Sequence, residues 1–237
     1  MKKLIKRILR EQITGGFARQ IKKIGSQPPT KTCNFILPLA WPTYEPKLEK
    51  GAGDFEIWGA RIYAALMSGD FESTGTEGTY GKLGHGGLAL IHSSGLVGFF
   101  EFGRYAGAKE GMGITLKKKV NIKAKFGTED GECIITNLTA VVNAIKQVSY
   151  GEGPRLEMDG YVVPIPNIRG AYNFAKRNIQ REYQAIDLEI GDENFNCGTF
   201  IYDVAKAGGI DMGNWCFPDP ASVVDSFESK SVQEFSA

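Results

Sequence analysis

The chain has 237 residues, with 28 Lys and Arg against 27 Asp and Glu, so its formal charge is +1. That balance excludes a nucleic-acid binder working through bulk charge. Apolar residues at 42% and charged residues at 23% describe an ordinary globular chain, long enough for one domain with attachments or two small ones.

At the N-terminus, Leu4, Ile5, Ile8 and Leu9 recur at helical spacing among Lys2, Lys3, Lys6, Arg7 and Arg10. Gly15 and Gly16 interrupt the pattern, and Phe17, Ile21 and Ile24 resume it. This is a basic amphipathic arm: a tail, or a docking element for a protein or an anionic membrane surface. It lacks the continuous apolar stretch of a secretory signal peptide. No apolar run approaches the roughly 18 to 20 residues of a membrane span, so no transmembrane segment is expected. The stretch "GSQPPTKT" (Gly25 to Thr32) then reads as a linker.

Past the linker, "CNFILPLAW" predicts a strand ending at Pro42. Asp54 to Gly69 predicts a helix, with Asp54 as cap and Phe55, Trp58, Ile62 and Leu66 as its core stripe. "GDFESTGTEGTYGKLG" reads as an approach loop. Two strand-like runs, split by "SSG", occupy Gly86 to Phe102, and Ile114 to Phe126 alternates apolar residues with lysines as a half-exposed strand does. Asn137 to Val148 predicts a helix capped by Asn137, "YVVPIP" a short strand, and Arg169 to Ile186 the longest helix. A last helix opens at or near Cys197 and stops at Gly208-Gly209. After Phe217 the chain reads as a polar, loosely held tail. Three parts result: an arm and linker over residues 1–30, a folded domain over 31–220, and a tail over 221–237.

The cysteines are Cys33, Cys133, Cys197 and Cys216, and their spacing matches no C-x-x-C pattern. Disulfides are not required in a chain of this length. With two histidines in all, no metal site and no cofactor are expected. Cys197 stands where a loop becomes a helix, and the unpaired N–H groups of a helix start favour a thiolate, the nucleophilic form. A buried structural cysteine is the alternative.

Both histidines lie in "LGHGGLALIH", Leu83 to His92. Seven residues apart on one strand, His85 and His92 face opposite sides, so they are not a metal pair. His85 sits between glycines that permit close approach. His92 borders the turn, where a solvated side chain is expected. On the next strand Glu101 is flanked by Phe99, Phe100 and Phe102, and a carboxylate in so apolar a stretch requires a partner. A three-residue loop of Ser93, Ser94 and Gly95, with Gly95 left-handed, would pair His85 with Gly103 and residue 87 with Glu101. His85 and Glu101 would then share a face within side-chain reach. A loop of two or four residues would separate them.

With that register the parts of a Cys–His–carboxylate triad are present. Cys197 would attack a carbonyl carbon, His85 would move the proton, and Glu101 would orient the ring. The backbone N–H of Cys197 and a further donor would hold the oxyanion, with Asn196 and Gly198 beside it. Arg104 and Tyr105, next to Glu101, are candidate substrate contacts. Asp203 lies further along the cysteine helix and is expected to face elsewhere.

The segments "LGHGGLALI", "FFEFGRY" and "NCGTFIYDVAKAGG", in that order, resemble the circularly permuted papain-like hydrolases related to NlpC-type peptidoglycan endopeptidases. The lecithin–retinol acyltransferase group shares the layout. The similarity extends to type VI secretion effectors and phage-borne relatives, and covers roughly Asn34 to Trp215. It implies an α+β fold in which an antiparallel sheet packs on the helix that starts at the catalytic cysteine. It also implies His85 as base, Cys197 as nucleophile and Glu101 as third residue.

The expected function is a cysteine-dependent amide hydrolase acting on peptidoglycan stem peptides. Such a protein would be made in the cytoplasm without a signal peptide. It would reach the periplasm or cell wall of a target bacterium as an antibacterial effector, or travel in a virion as a lytic factor. Its partners would be the wall peptide, a delivery-machine or virion protein docked through the arm, and an immunity protein. A lipid-directed thiol acyltransferase or lipase using the same residues, and an inert virion structural or adaptor protein, are the other readings.

Overall fold

A computed structural model describes residues 33–45, 84–105, 109, 112–150, 155–177, 180–183, 195–213 and 220–237. The N-terminal arm, the linker, the helix expected over Asp54 to Gly69, the loop after it and Cys216 lie outside the described residues.

The strands are β1 (Phe35–Trp41), β2 (His85–Ile91), β3 (Leu96–Gly103), β4 (Met112–Lys123), β5 (Phe126–Glu129), β6 (Glu132–Ile135), β7 (Asp159–Pro164), β8 (Gln180–Glu182) and β9 (Gln233–Ser236). The helices are α1 (Leu138–Val148), α2 (Ile168–Ala175), α3 (Cys197–Ala207) and α4 (Pro220–Asp225). Seven strands form one antiparallel sheet in the order β8-β4-β3-β2-β1-β7-β9, while β5 and β6 make a separate hairpin. Both faces of the sheet are covered. On one, α2, α3 and α4 bring Ala171, Phe200, Ile201, Val204, Val223 and Val224 against Ile36, Leu88, Phe100 and Phe102. On the other, α1 brings Val141, Val142 and Ile145 against Leu37, Ala89, Ile91 and Phe99. Strand β1 is buried at all seven positions, as a strand covered on both sides must be.

The β2–β3 turn has the expected form. His92 N–H donates to Leu96 O (3.0 Å), Gly95 N–H to His92 O (2.7 Å), and Gly95 has φ +83°. The loop is therefore Ser93-Ser94-Gly95, and Gly87 lies opposite Glu101. A Cβ on Gly95 would fall 2.5 Å from Ala124 O, so glycine is required twice over, for its φ and for space.

Three expectations are corrected. The helix expected from Arg169 to Ile186 ends at Ala175, and Gln180–Glu182 becomes an edge strand on β4. The next residue explains the change. Tyr183 stacks on Phe102 at 6.0 Å, and its carbonyl accepts from Arg104, so ring burial and strand pairing outweigh helix propensity. The tail after residue 220 is not loose. Val223, Val224 and Phe227 enter the core, and β9 pairs with β7.

Asn137 precedes α1 but makes no side-chain cap. Its amide joins the end of β4 to the start of β5, accepting from Lys125 N–H at 2.8 Å and donating to Lys123 O at 3.0 Å. Cys33 and Cys133 are disulfide-bonded across a separation of 100 residues, with Cα atoms 5.7 Å apart. The bridge ties the residues before β1 to β6, which leads into α1. Closing so long a loop restricts the unfolded chain, so replacing both cysteines with serine should cost about 2–5 kcal/mol. Denaturant unfolding of the two forms measures this, and equal midpoints would contradict it.

Candidate active site

Strand β2 opens with His85, whose side chain is 12% exposed. On one side β1 places Trp41 directly opposite it, and the rings stack at 5.6 Å. Tyr44, just past β1, adds a tilted ring at 5.2 Å. On the other side β3 supplies Glu101, which has no exposed surface. Glu101 Oε1 stands 3.7 Å from His85 Nε2 and accepts from Tyr150 N–H at 3.2 Å. Its Oε2 is buried with no hydrogen-bond partner among the described residues. Tyr105 brings its hydroxyl to 3.4 Å from the same Nε2.

Cys197 arrives from α3. Asn196 caps that helix: its side chain accepts from Thr199 N–H at 3.0 Å, and Thr199 Oγ1 accepts from Asn196 N–H at 2.7 Å. This reciprocal pair fixes where the first turn begins. It leaves Cys197 and Gly198 as the first two helical residues, whose N–H groups have no partner within a helix. Both are buried. Cys197 is the only free cysteine among the described residues. One turn on, Ile201 packs against β2 at Gly86, where a Cβ would fall 2.8 Å from Ile201 Cδ1. Glycine at 86 thus lets α3 approach closely enough for Cys197 to meet His85.

That meeting governs the imidazole. Burial works against the charged ring, but hydrogen bonding with Cys197 and with Glu101, and the negative charge of both, outweigh it. The ring's pKa is raised from 6.5 to about 10. Burial pushes the Tyr105 hydroxyl well above its ordinary value, with the charges of Glu101 and Cys197 next in effect, so the phenol keeps its proton.

The structure thus brings together His85, Glu101, Cys197 and Tyr105. Other residues make contacts of their own. Arg104 donates to Tyr183 O and lies over that ring at 5.1 Å, which anchors the residue just past β8. Asn196 uses its side-chain oxygen in the cap. Asp203 is half-buried, its pKa raised by burial and opposed by Arg181 and Lys206. His92 is exposed and bonds with Ser94 in the turn. Trp41, Tyr44 and Tyr150 were missed by the sequence reading, because the β1–β2 register and the end of α1 bring them in from far along the chain. Among the described residues no group of His, Cys, Asp and Glu side chains could hold a metal ion. No helix among them is long and apolar enough to cross a membrane.

A family profile described as "Type VI secretion system effector TseH-like" matches residues 36–210, which include all four members of the cluster. The chain belongs to this family. The crystal structure of the type VI secretion system effector TseH is similar, with 19% identity and a TM-score of 0.52 over 86% of this chain and 91% of that one. At that identity the likeness shows the fold: a mixed α+β architecture with a large antiparallel sheet. No curated protein sequence matches. Of the two settings that the sequence motifs suggested, the TseH-like family is that of secretion effectors, and nothing ties the chain to a phage.

The raised pKa of His85 fixes the sign of one pH effect. The charged ring's contribution to stability is complete below about pH 6.5 and is lost as the pH rises through about 10. The melting-temperature advantage of wild type over His85→Ala should therefore shrink between those values. An advantage that grows with pH would contradict the assignment.

Proposed function

We propose that this TseH-like chain is a permuted papain-like cysteine hydrolase that cleaves amide bonds in peptidoglycan stem peptides. The observation that carries the reading is one imidazole that stands 3.7 Å from a carboxylate with no exposed surface and is electrostatically coupled to a free cysteine at a helix start. Each group has a task that its surroundings suit. Nε2 faces Glu101 and Tyr105, so Nδ1 is the nitrogen left to exchange a proton with Cys197. The sulfur attacks the amide carbon while the N–H groups of Cys197 and Gly198 hold the developing oxyanion. His85 delivers its proton to the departing amine, leaving an acyl-enzyme thioester. Water then attacks the thioester, His85 takes its proton, and the thiolate leaves as the stem-peptide carboxylate is released. Glu101 keeps the ring in register and balances its charge.

Membership of a secretion-effector family supports an extracytoplasmic target and passage through a delivery machine, with an immunity protein guarding the producer. The disulfide suits an oxidising destination. Purified peptidoglycan sacculi, digested and resolved by mass spectrometry, test the reading. Wild type should release muropeptides with new amine and carboxyl ends on the peptide stems. Cys197→Ala should release none, and His85→Ala should be slower by about 10²–10⁴-fold. Intact sacculi, cleaved glycan strands, or fatty acid freed from phospholipid vesicles in their place would overturn it.

A further inference from the structure

The stretch Glu101-Phe102-Gly103-Arg104-Tyr105 folds as a unit around His85, and each residue has a visible reason. Glu101 faces the ring, and Phe102 faces the opposite core, where it meets Phe195 at 4.6 Å. Gly103 has no side chain, and Tyr105 occupies the space. A Cβ there would stand 3.1 Å from Tyr105 Cζ and 3.2 Å from its hydroxyl. Arg104 anchors the strand end to Tyr183. The Tyr105 ring thus doubles back over its own strand and brings its hydroxyl to His85.

The geometry points to Tyr105 as a positioning residue that shares His85 Nε2 with Glu101. The inference deepens the Cys–His–Glu reading and rests on it. At 3.4 Å the phenol oxygen is the nearer of the two groups, with the carboxylate oxygen at 3.7 Å. A hydroxyl can accept the Nε2–H of a charged ring and still offer its own proton. The phenol stays neutral beside Glu101 and Cys197, so it steadies the ring without competing for the proton.

Tyr150 couples the pair. Its ring meets Tyr105 edge-on at 4.5 Å, and its backbone N–H holds Glu101 Oε1 at 3.2 Å. The residue that ends the α1 segment therefore fixes both partners of Nε2. Tyr105 is 7% exposed, and its hydroxyl reaches the histidine.

Nitrogen-15 NMR of the histidine rings tests this in the whole protein. The chain has two histidines, and exposed His92 serves as the internal control. Tyr105→Phe removes the acceptor and keeps the ring, so the His85 midpoint should fall by about 0.5–1 pH unit while His92 stays unchanged. In sacculus digestion kcat should drop by about three- to tenfold with KM near the wild-type value, and the basic limb of the pH profile should move down with the midpoint. An unchanged His85 midpoint would overturn the inference and leave Tyr105 a packing residue. Should Tyr105→Phe not fold, 4-fluorophenylalanine at the same position keeps nearly the same shape with a far weaker acceptor that cannot ionise, and the midpoint should move the same way. The NMR titration needs no substrate. An inert wild type on sacculi with a shifted midpoint in the variant would fault the proposed reaction alone, and an active wild type with an unshifted midpoint would fault Tyr105 alone.

Discussion

Glu101 has no exposed surface, and an unpaired charge so placed would be costly. One oxygen has the Tyr150 N–H and faces the His85 ring; the other has no hydrogen-bond partner among the described residues. The carboxylate is therefore incompletely satisfied without a charged ring beside it, and the ring gains a proton-holding environment in return. Because side chains alternate along a strand, this pairing depends on a three-residue loop between β2 and β3. Gly95 supplies that loop through its left-handed backbone. A slip of one residue would send Glu101 to the far face and leave the histidine without it.

The rest of the site is arranged around that fixed pair by close approach. Gly86 lets α3 settle on β2, and the capping pair of Asn196 and Thr199 sets the first residue of the helix at Cys197. Gly103 lets Tyr105 turn back over its strand. The disulfide between Cys33 and Cys133 then links the residues before β1, the strand carrying Trp41, to the hairpin preceding α1, the helix that ends beside Tyr150. Two walls of the histidine pocket are tied together by a bond remote from the chemistry.

Much of this was legible in the sequence because it is local. The β2–β3 turn, the strand alternation and the helix opening at Cys197 each depend on residues within a dozen positions, and each was readable from turn chemistry, a period-two pattern or the glycines that stop a helix. Pairings between distant segments were not. Trp41 lies opposite His85 only through the β1–β2 register, across 44 residues of chain. The Cys33–Cys133 bridge spans 100, and four cysteines allow three pairings. The helix expected to reach Ile186 failed for a similar reason. Its second half has helical composition, but Tyr183 finds Phe102, which no local pattern records. The polar character of residues 221–237 concealed Val223, Val224 and Phe227, which α4 and the turn after it drive into the core.

What ties fold to chemistry is the convergence of β2, β3 and α3 on a single imidazole. 1,3-Dibromoacetone tests it directly, because its two electrophilic carbons can bridge only a sulfur and a nitrogen that already stand side by side. After treatment of the native protein, peptide mapping should recover Cys197 joined to His85 as the main product, and the bridge should vanish in His85→Ala. Alkylation of Cys197 at one end only, or a bridge from it to some other residue, would show that these segments do not meet.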